Sequence, residues 1–305
     1  MSSYDSLTYL IPSILIVNQQ LLDTTLAQFV KDKTSFLHEV HYKTNLPKLI
    51  ELFDAVDYNP YHVYFYMISR FYYFDRGDND IIFYYGVKEK SSYFVEAVLA
   101  ALPPRFRRET VRRDTYEYIE MPGCLWFTDS FNEDWMCSYV ADLFKHIWKD
   151  VPKEKGKFTY ISRVRGFTKL RRVINEEELY RPLKDIGFSI YYLEDLTFEQ
   201  QIKLFRSSEI ITSMHGAGLS HMIFCEPRTL ICEINGEHTP MKNHYRDIAT
   251  KCKHQYYRYL GVRPVEVGGH EDIEINVNGY IEALQHIKTL CVDNVVSAGQ
   301  GRPLG

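Results

Sequence analysis

No two of the six cysteines, Cys124, Cys137, Cys225, Cys232, Cys252 and Cys291, stand at C-x-x-C spacing, and most lie inside apolar runs. That argues against a disulfide-built secreted scaffold and marks these thiols as small core residues of a reducing compartment. None of the eleven histidines clusters with them at ligand spacing, so no zinc set is assembled. No stretch approaches the roughly 18 apolar residues that a membrane span needs. The first residues, MSSYDSLTYLIPSILIVN, have no basic n-region, and Pro12 and Ser13 interrupt their apolar run. A soluble, cytoplasmic protein without stable membrane insertion is expected. Net charge is only −4 over 305 residues, which leaves no global basic field for nucleic acid. Repeats and low-complexity tracts are absent. So is G-x-G-x-x-G after a strand, which counts against an NAD-dependent Rossmann oxidoreductase, the rival enzyme class for a chain of this pattern.

What is present is ample core material: 45% hydrophobic residues against 25% charged, with 24 tyrosines and 18 phenylalanines. The length suits two domains. KDVPKEKGKF, residues 149–158, is Lys-rich with Pro and Gly between apolar segments and reads as the boundary. It divides an N-terminal domain, 1–150, from a C-terminal one, 151–305, with the last helix free to pack back on the N-terminal domain. After the boundary, strands and helices alternate. FTYIS (158–162), SIYYLE (189–194), EIITSM (209–214), TLICEI (229–234) and QYYRYLG (255–261) read as strands. NEEELYRPLKDIG (175–187), TFEQQIKLFRSS (197–208), GLSHMIFC (218–225), HYRDIATKC (244–252) and NGYIEALQHIKTLCVD (278–293) read as helices. Asn175 with Glu178, and Thr197 with Gln200, carry capping-box spacing, and Gly187 is a stop. This alternation predicts βαβ units and a parallel, Rossmann-like sheet. The first half is less periodic. TYLIPSILIVN, YFYMISRFYYF and IIFYYGV are of strand or buried-helix type, and a second α/β domain fits them best.

In such sheets ligands bind at the carboxyl ends of the strands. The loop His215-Gly216-Ala217-Gly218-Leu219 follows one strand, and its glycines allow close approach of a bulky anion to backbone N–H groups. Glu233, at the end of the next strand, is placed to take ribose hydroxyls. The plain alternative is a tight turn with a satisfied polar histidine. SRVRGFTKLRR (162–172) carries Arg163, Arg165, Lys169, Arg171 and Arg172 and no acid. Arg163 lies nearest its strand and is the candidate pyrophosphate clamp, since guanidinium forks match phosphate oxygens; a solvated basic loop is the alternative for the rest. LEDLTFEQQ (193–201) puts Glu199 in a first helical turn, where charge–dipole stabilisation is the simpler reading.

Taken together, YISR, RRVINEEEL, GFSIYYLEDLTFEQQ, HGAGLSH and LICEI, in that order, resemble glycosyltransferase family 61. NPYH (59–62) resembles the family's N-x-x-H segment, so the likeness runs over most of the chain, densest from 158 to 234. The resemblance implies a GT-B fold, two Rossmann-like domains facing across a cleft, and an inverting, metal-independent transferase. The donor would be a UDP-sugar, carrying xylose or N-acetylglucosamine, and the acceptor an oligosaccharide or glycoprotein glycan, with no cofactor beyond the donor. It also implies that Arg163 and residues 215–218 line the diphosphate and that Glu233 meets the ribose.

One departure matters. Relatives place an acid four residues after the N-x-x-H histidine, and here that position is Tyr66. The base that inversion requires must then be sought at His62, Asp75, Asp78 or Asp129. His62 is favoured because an imidazole titrates near working pH; a core histidine bonded to backbone is the alternative. A non-catalytic member that kept the fold is the corresponding functional alternative. Asp78-Asn79-Asp80 spells the D-x-D of metal-dependent transferases but reads better as a polar turn.

Overall fold

The computed structural model describes residues 48–52, 59–73, 75, 77, 82–86, 92–108, 117–119, 134–165, 171–236, 243–262 and 272–298. TYLIPSILIVN, Asp78 to Asp80, Asp129 and Lys169 lie outside them. The chain forms two compact units, Met1–Phe144 and Lys145–Gly305.

In the first unit, β1 (Lys48–Leu52), β2 (Ile82–Gly86), β3 (Phe106–Arg108) and β4 (Glu117–Ile119) form a parallel sheet of order β3-β2-β1-β4. Between β1 and β2 runs a short helix α1 (Pro60–His62), and α2 (Tyr93–Ala100) and α3 (Asp134–Leu143) follow. Asn59 starts α1: its side chain accepts from the Tyr61 N–H at 3.0 Å, and Pro60 occupies the first position, where its missing N–H costs nothing. The helix widens to a π turn over Val63–Met67, then tightens to 3₁₀ over Ile68–Tyr73. The Ser69 hydroxyl donates to the Phe65 carbonyl at 2.7 Å. Val63, Tyr64, Phe65, Ile68 and Phe71 are all buried, so adjacent as well as spaced positions of this helical path lie in the core. That is why its sequence offered no period by which to tell strand from helix.

The second unit opens with α4 (Lys145–Trp148) and continues β5 (Phe158–Ser162), α5 (Glu176–Asp185), β6 (Phe188–Tyr192), α6 (Phe198–Ser207), β7 (Ile210–Met214), β8 (Leu230–Gly236), α7 (His244–Lys251), β9 (Gln255–Gly261) and α8 (Val277–Ala298). Its five strands are parallel in the order β6-β5-β7-β8-β9. Thr197 closes the expected capping box on α6 with Gln200. Asn175 does not cap α5: its amide bridges the N–H and C=O of Ile275 at 3.0 and 2.9 Å, a pairing a hundred residues distant. Gly187 ends α5 at φ 88°. One sheet face packs Tyr160, Leu179, Leu183, Met214 and Ile234 against Tyr280, Leu284 and Ile287 of α8. The last helix therefore joins the C-terminal core through these residues. The Thr212 hydroxyl donates to the Cys232 carbonyl at 2.9 Å and accepts from the Tyr280 hydroxyl at 2.6 Å. Cys137, Cys225 and Cys232 are buried free thiols. No helix among the described residues is long and apolar enough to cross a membrane.

Candidate active site

The strand order locates the site. From β5 the chain turns to β6 on one side, and from β7 it moves to β8 on the other. The loops leaving the carboxyl ends of adjacent β5 and β7 therefore diverge and open a crevice, where ligands of doubly wound sheets sit. Arg163 follows β5 directly, and His215 and Gly216 follow β7.

The Arg163 Nη1 donates to the His215 carbonyl. Its guanidinium lies over Gly216, where an added Cβ would stand 1.9 Å from Nη1 and 2.5 Å from Cζ. Gly216 has an extended φ of 172°, so glycine serves there by the room it leaves. At Gly218 the added Cβ would meet only the end of Leu193, 2.8 Å from Cδ1. The short helix expected over 218–225 is a 3₁₀ helix, Ala217–Phe224. His221 fixes its start by donating from Nδ1 to the Gly218 carbonyl at 3.0 Å. Burial lowers the His221 pKa to about 4, which keeps the ring neutral. Leu219 is buried within this turn and Ala217 is partly exposed.

Arg163 is half-buried; desolvation lowers its pKa, the nearby Arg171 charge adds to that, and Tyr245 and Glu194 oppose it. Arg171 has φ 59°, a left-handed backbone that costs an arginine about 1–2 kcal/mol, and its Nε is buried without a partner among the described residues. Among the described residues no carboxylate forms an ion pair with either arginine; Arg165 and Arg172 have theirs, in Asp195 and Asp272. The fold thus brings two cations together at the crevice without an ion pair to a described carboxylate, and Glu194 acts on Arg163 only electrostatically.

Glu233 sits differently from expectation. It has no exposed surface. One carboxylate oxygen faces His215 Nδ1, and the other accepts from the Tyr256 hydroxyl, with Arg258 Nη2 at 3.9 Å. A carboxylate is acceptor-only, so His215 carries its proton on Nδ1 and turns Nε2 away. Glu233 thereby holds His215 and offers no oxygen to a ribose. The Tyr245 ring meets the His215 ring edge-on at 5.0 Å, and burial, with Glu233 next, raises the Tyr245 pKa. Tyr245, Tyr256 and Arg258 were missed in the sequence. The parallel register Glu233↔Arg258 brings the β9 residues in, and only β9 being read as the partner of β8 would have signalled them.

Glu199 and Arg165 each have a charged partner of their own. Glu199 pairs with Lys203 one turn on, at 2.6 Å and exposed. Arg165 pairs with Asp195 and stacks on the Tyr192 ring at 4.0 Å. The 3₁₀ turn Leu193–Asp195 after β6 is tied down by Gln201 Nε2, which donates to the carbonyls of Leu193 at 2.8 Å and Leu196 at 3.1 Å. Glu194 in that turn is exposed, makes no ion pair among the described residues and acts on Arg163 electrostatically.

In the N-terminal unit His62 is half-buried beside Tyr61, their ring centroids 6.1 Å apart. Asp75 is withdrawn as a base. Arg105 grips it through Nε at 2.9 Å and Nη2 at 2.8 Å, the Tyr139 hydroxyl donates at 2.9 Å and the Gly77 N–H at 3.1 Å. Its lone pairs are consumed in holding the loop.

Comparison with known proteins bears on the family. The family described as Glycosyltransferase 61 matches residues 22–232. An EGF domain-specific O-linked N-acetylglucosamine transferase of Drosophila melanogaster is 38% identical over 103 residues, 32% of this chain and 18% of the relative. Proteins of the same name from Gallus gallus and Mus musculus are each 30% identical over 95 residues, 29% of this chain and 17% and 18% of theirs. These matches span less than a fifth of the length of the curated relatives.

Proposed function

We propose that this chain, which belongs to the Glycosyltransferase 61 family, transfers a sugar from a UDP-sugar to an acceptor hydroxyl with inversion at the anomeric carbon. The carrying observation is the Arg163–Arg171 pair at the β5/β7 crevice, neither member of which is ion-paired to a described carboxylate. Two cations held close repel, and a diphosphate between them turns that repulsion into charge-assisted hydrogen bonds. His215, held by Glu233, adds Nε2 to the same oxygens. As the acceptor oxygen attacks, the bond from the anomeric carbon to the diphosphate breaks and its electron pair goes to UDP. The arginines stabilise that departing charge in place of a metal. Glu194, beside Arg163, takes over from Glu233 the contact to the ribose hydroxyls. The fold of this proposal is GT-B, with the acceptor bound mainly by the N-terminal unit. The relatives' names favour N-acetylglucosamine over xylose and an acceptor hydroxyl carried on a protein.

With Asp75 occupied and Asp129 outside the described residues, His62 is the base of this proposal. A second reading draws support from Tyr66 at the position of the expected acid: a member that binds the donor without turning it over. Calorimetry with UDP, in EDTA, tests the donor site. Micromolar binding that Arg163→Ala weakens roughly 10- to 150-fold supports it; binding of NADH with no heat from UDP sinks it. UDP binding without UDP release from any donor and acceptor pair selects the second reading.

A further inference from the structure

One buried carboxylate at the crevice has no part in the chemistry above. Glu176, the first residue of α5, is 6% exposed and has no basic partner among the described residues. Three hydroxyls supply its hydrogen bonds: Tyr160 donates to Oε1 at 2.7 Å, Ser162 to Oε2 at 2.8 Å and Tyr180 to Oε2 at 3.2 Å. The Tyr192 hydroxyl donates to that of Tyr180 at 3.3 Å, so the network ties α5 to the carboxyl ends of both β5 and β6. Burial, with the Glu176 charge next, raises the Tyr160 pKa far above its ordinary value, so Tyr160 remains a donor.

Ser162 is the decisive member. Its hydroxyl proton goes to Glu176, and its oxygen accepts the Val164 N–H at 3.3 Å. The residues on either side of Arg163 are thus locked by one side chain. The carboxylate dictates the direction of that lock: being acceptor-only, it takes the Ser162 proton and leaves the serine oxygen for Val164. We infer that Glu176 is a positioning residue that, through Ser162, fixes the backbone from which Arg163 reaches the crevice. The inference rests on the donor-site reading above. Buried polar groups that are fully satisfied specify one geometry, and here that geometry sets a ligand-facing guanidinium.

A double-mutant cycle separates this role from a merely structural one. Ser162→Ala and Glu176→Gln are each made in the natural chain and in Arg163→Ala, and UDP dissociation constants are measured by calorimetry beside thermal melts. The expected result is a five- to tenfold weakening by either change in the natural background and none beyond error in Arg163→Ala. Ser162→Thr, which keeps the hydroxyl, restores binding. Equal weakening in both backgrounds, or none in either, overturns the inference while leaving the donor site standing. Failure of the natural protein to bind UDP removes the donor reading itself, and the inference with it. Should Glu176→Gln not fold, the Ser162 pair carries the cycle alone.

Discussion

Replacing Gly216 by alanine probes the crevice with one methyl group. The added Cβ would lie 1.9 Å from Arg163 Nη1 and 2.5 Å from Cζ, and ordinary contact begins at 3.4 Å. Nη1 must therefore retreat by 1.5 Å, the difference between 3.4 and 1.9 Å, and give up the His215 carbonyl. The extended φ at this position suits alanine, so backbone strain does not enter. The loss is that of a charge-assisted hydrogen bond to phosphate, about 1.5–3 kcal/mol, or roughly 10- to 150-fold in UDP affinity. A displacement of this size also costs on the order of 100-fold in turnover where a donor is positioned for reaction. Gly218→Ala is the control: its Cβ meets a single Leu193 methyl, which swings aside. Calorimetry with UDP, beside melting curves for both variants, decides the matter. Gly216→Ala that binds UDP as tightly as the natural protein, or Gly218→Ala that weakens it as much, would refute the reasoning.

Three further outcomes are expected. Glu194→Gln lowers affinity for UDP by roughly tenfold, about 1.4 kcal/mol, and leaves 2′,3′-dideoxy-UDP unaffected; equal loss for both nucleotides removes Glu194 from the ribose. Asp75→Asn lowers the melting temperature through loss of a charged clamp worth about 1–3 kcal/mol, with turnover per folded molecule unchanged. A normal melt with abolished turnover would return Asp75 to the role of base. Burial lowers His221 and His254 to about 4, against about 6.5 in an unfolded chain. Between those values the unfolded state takes up protons that the folded state refuses, so stability rises with pH there and falls on acidification from 6.5. The loss is on the order of a few kcal/mol, read from melts at pH 7 and 4.5, and His221→Asn roughly halves it, His254 supplying the rest; a flat natural profile contradicts the assignment.

The legible parts of this protein were those written locally. The strand QYYRYLG emerges with the bounds expected for an extended segment, Gln255–Gly261, and the Thr197–Gln200 box closes as its spacing required. Asn175 carried the same local signal, but Ile275 claimed its amide across a hundred residues. Arg163 and His215 could be found because each directly follows a strand. Glu233 was found and its role misread, since its burial depends on Tyr256 and Arg258, which only sheet register brings near. The Glu176 network escaped notice for a related reason. Tyr160, Tyr180 and Tyr192 are three among 24 tyrosines, and nothing along the chain distinguishes a hydroxyl that donates to a carboxylate from one that fills a core.

The most direct test of the central claim is a crystal of this chain soaked in UDP. The account predicts diphosphate oxygens within about 3 Å of the Arg163 and Arg171 guanidinium groups, at the carboxyl ends of β5 and β7. Nucleotide bound elsewhere with that crevice empty, or Arg163 and Arg171 each closed onto a carboxylate of the protein, would contradict it.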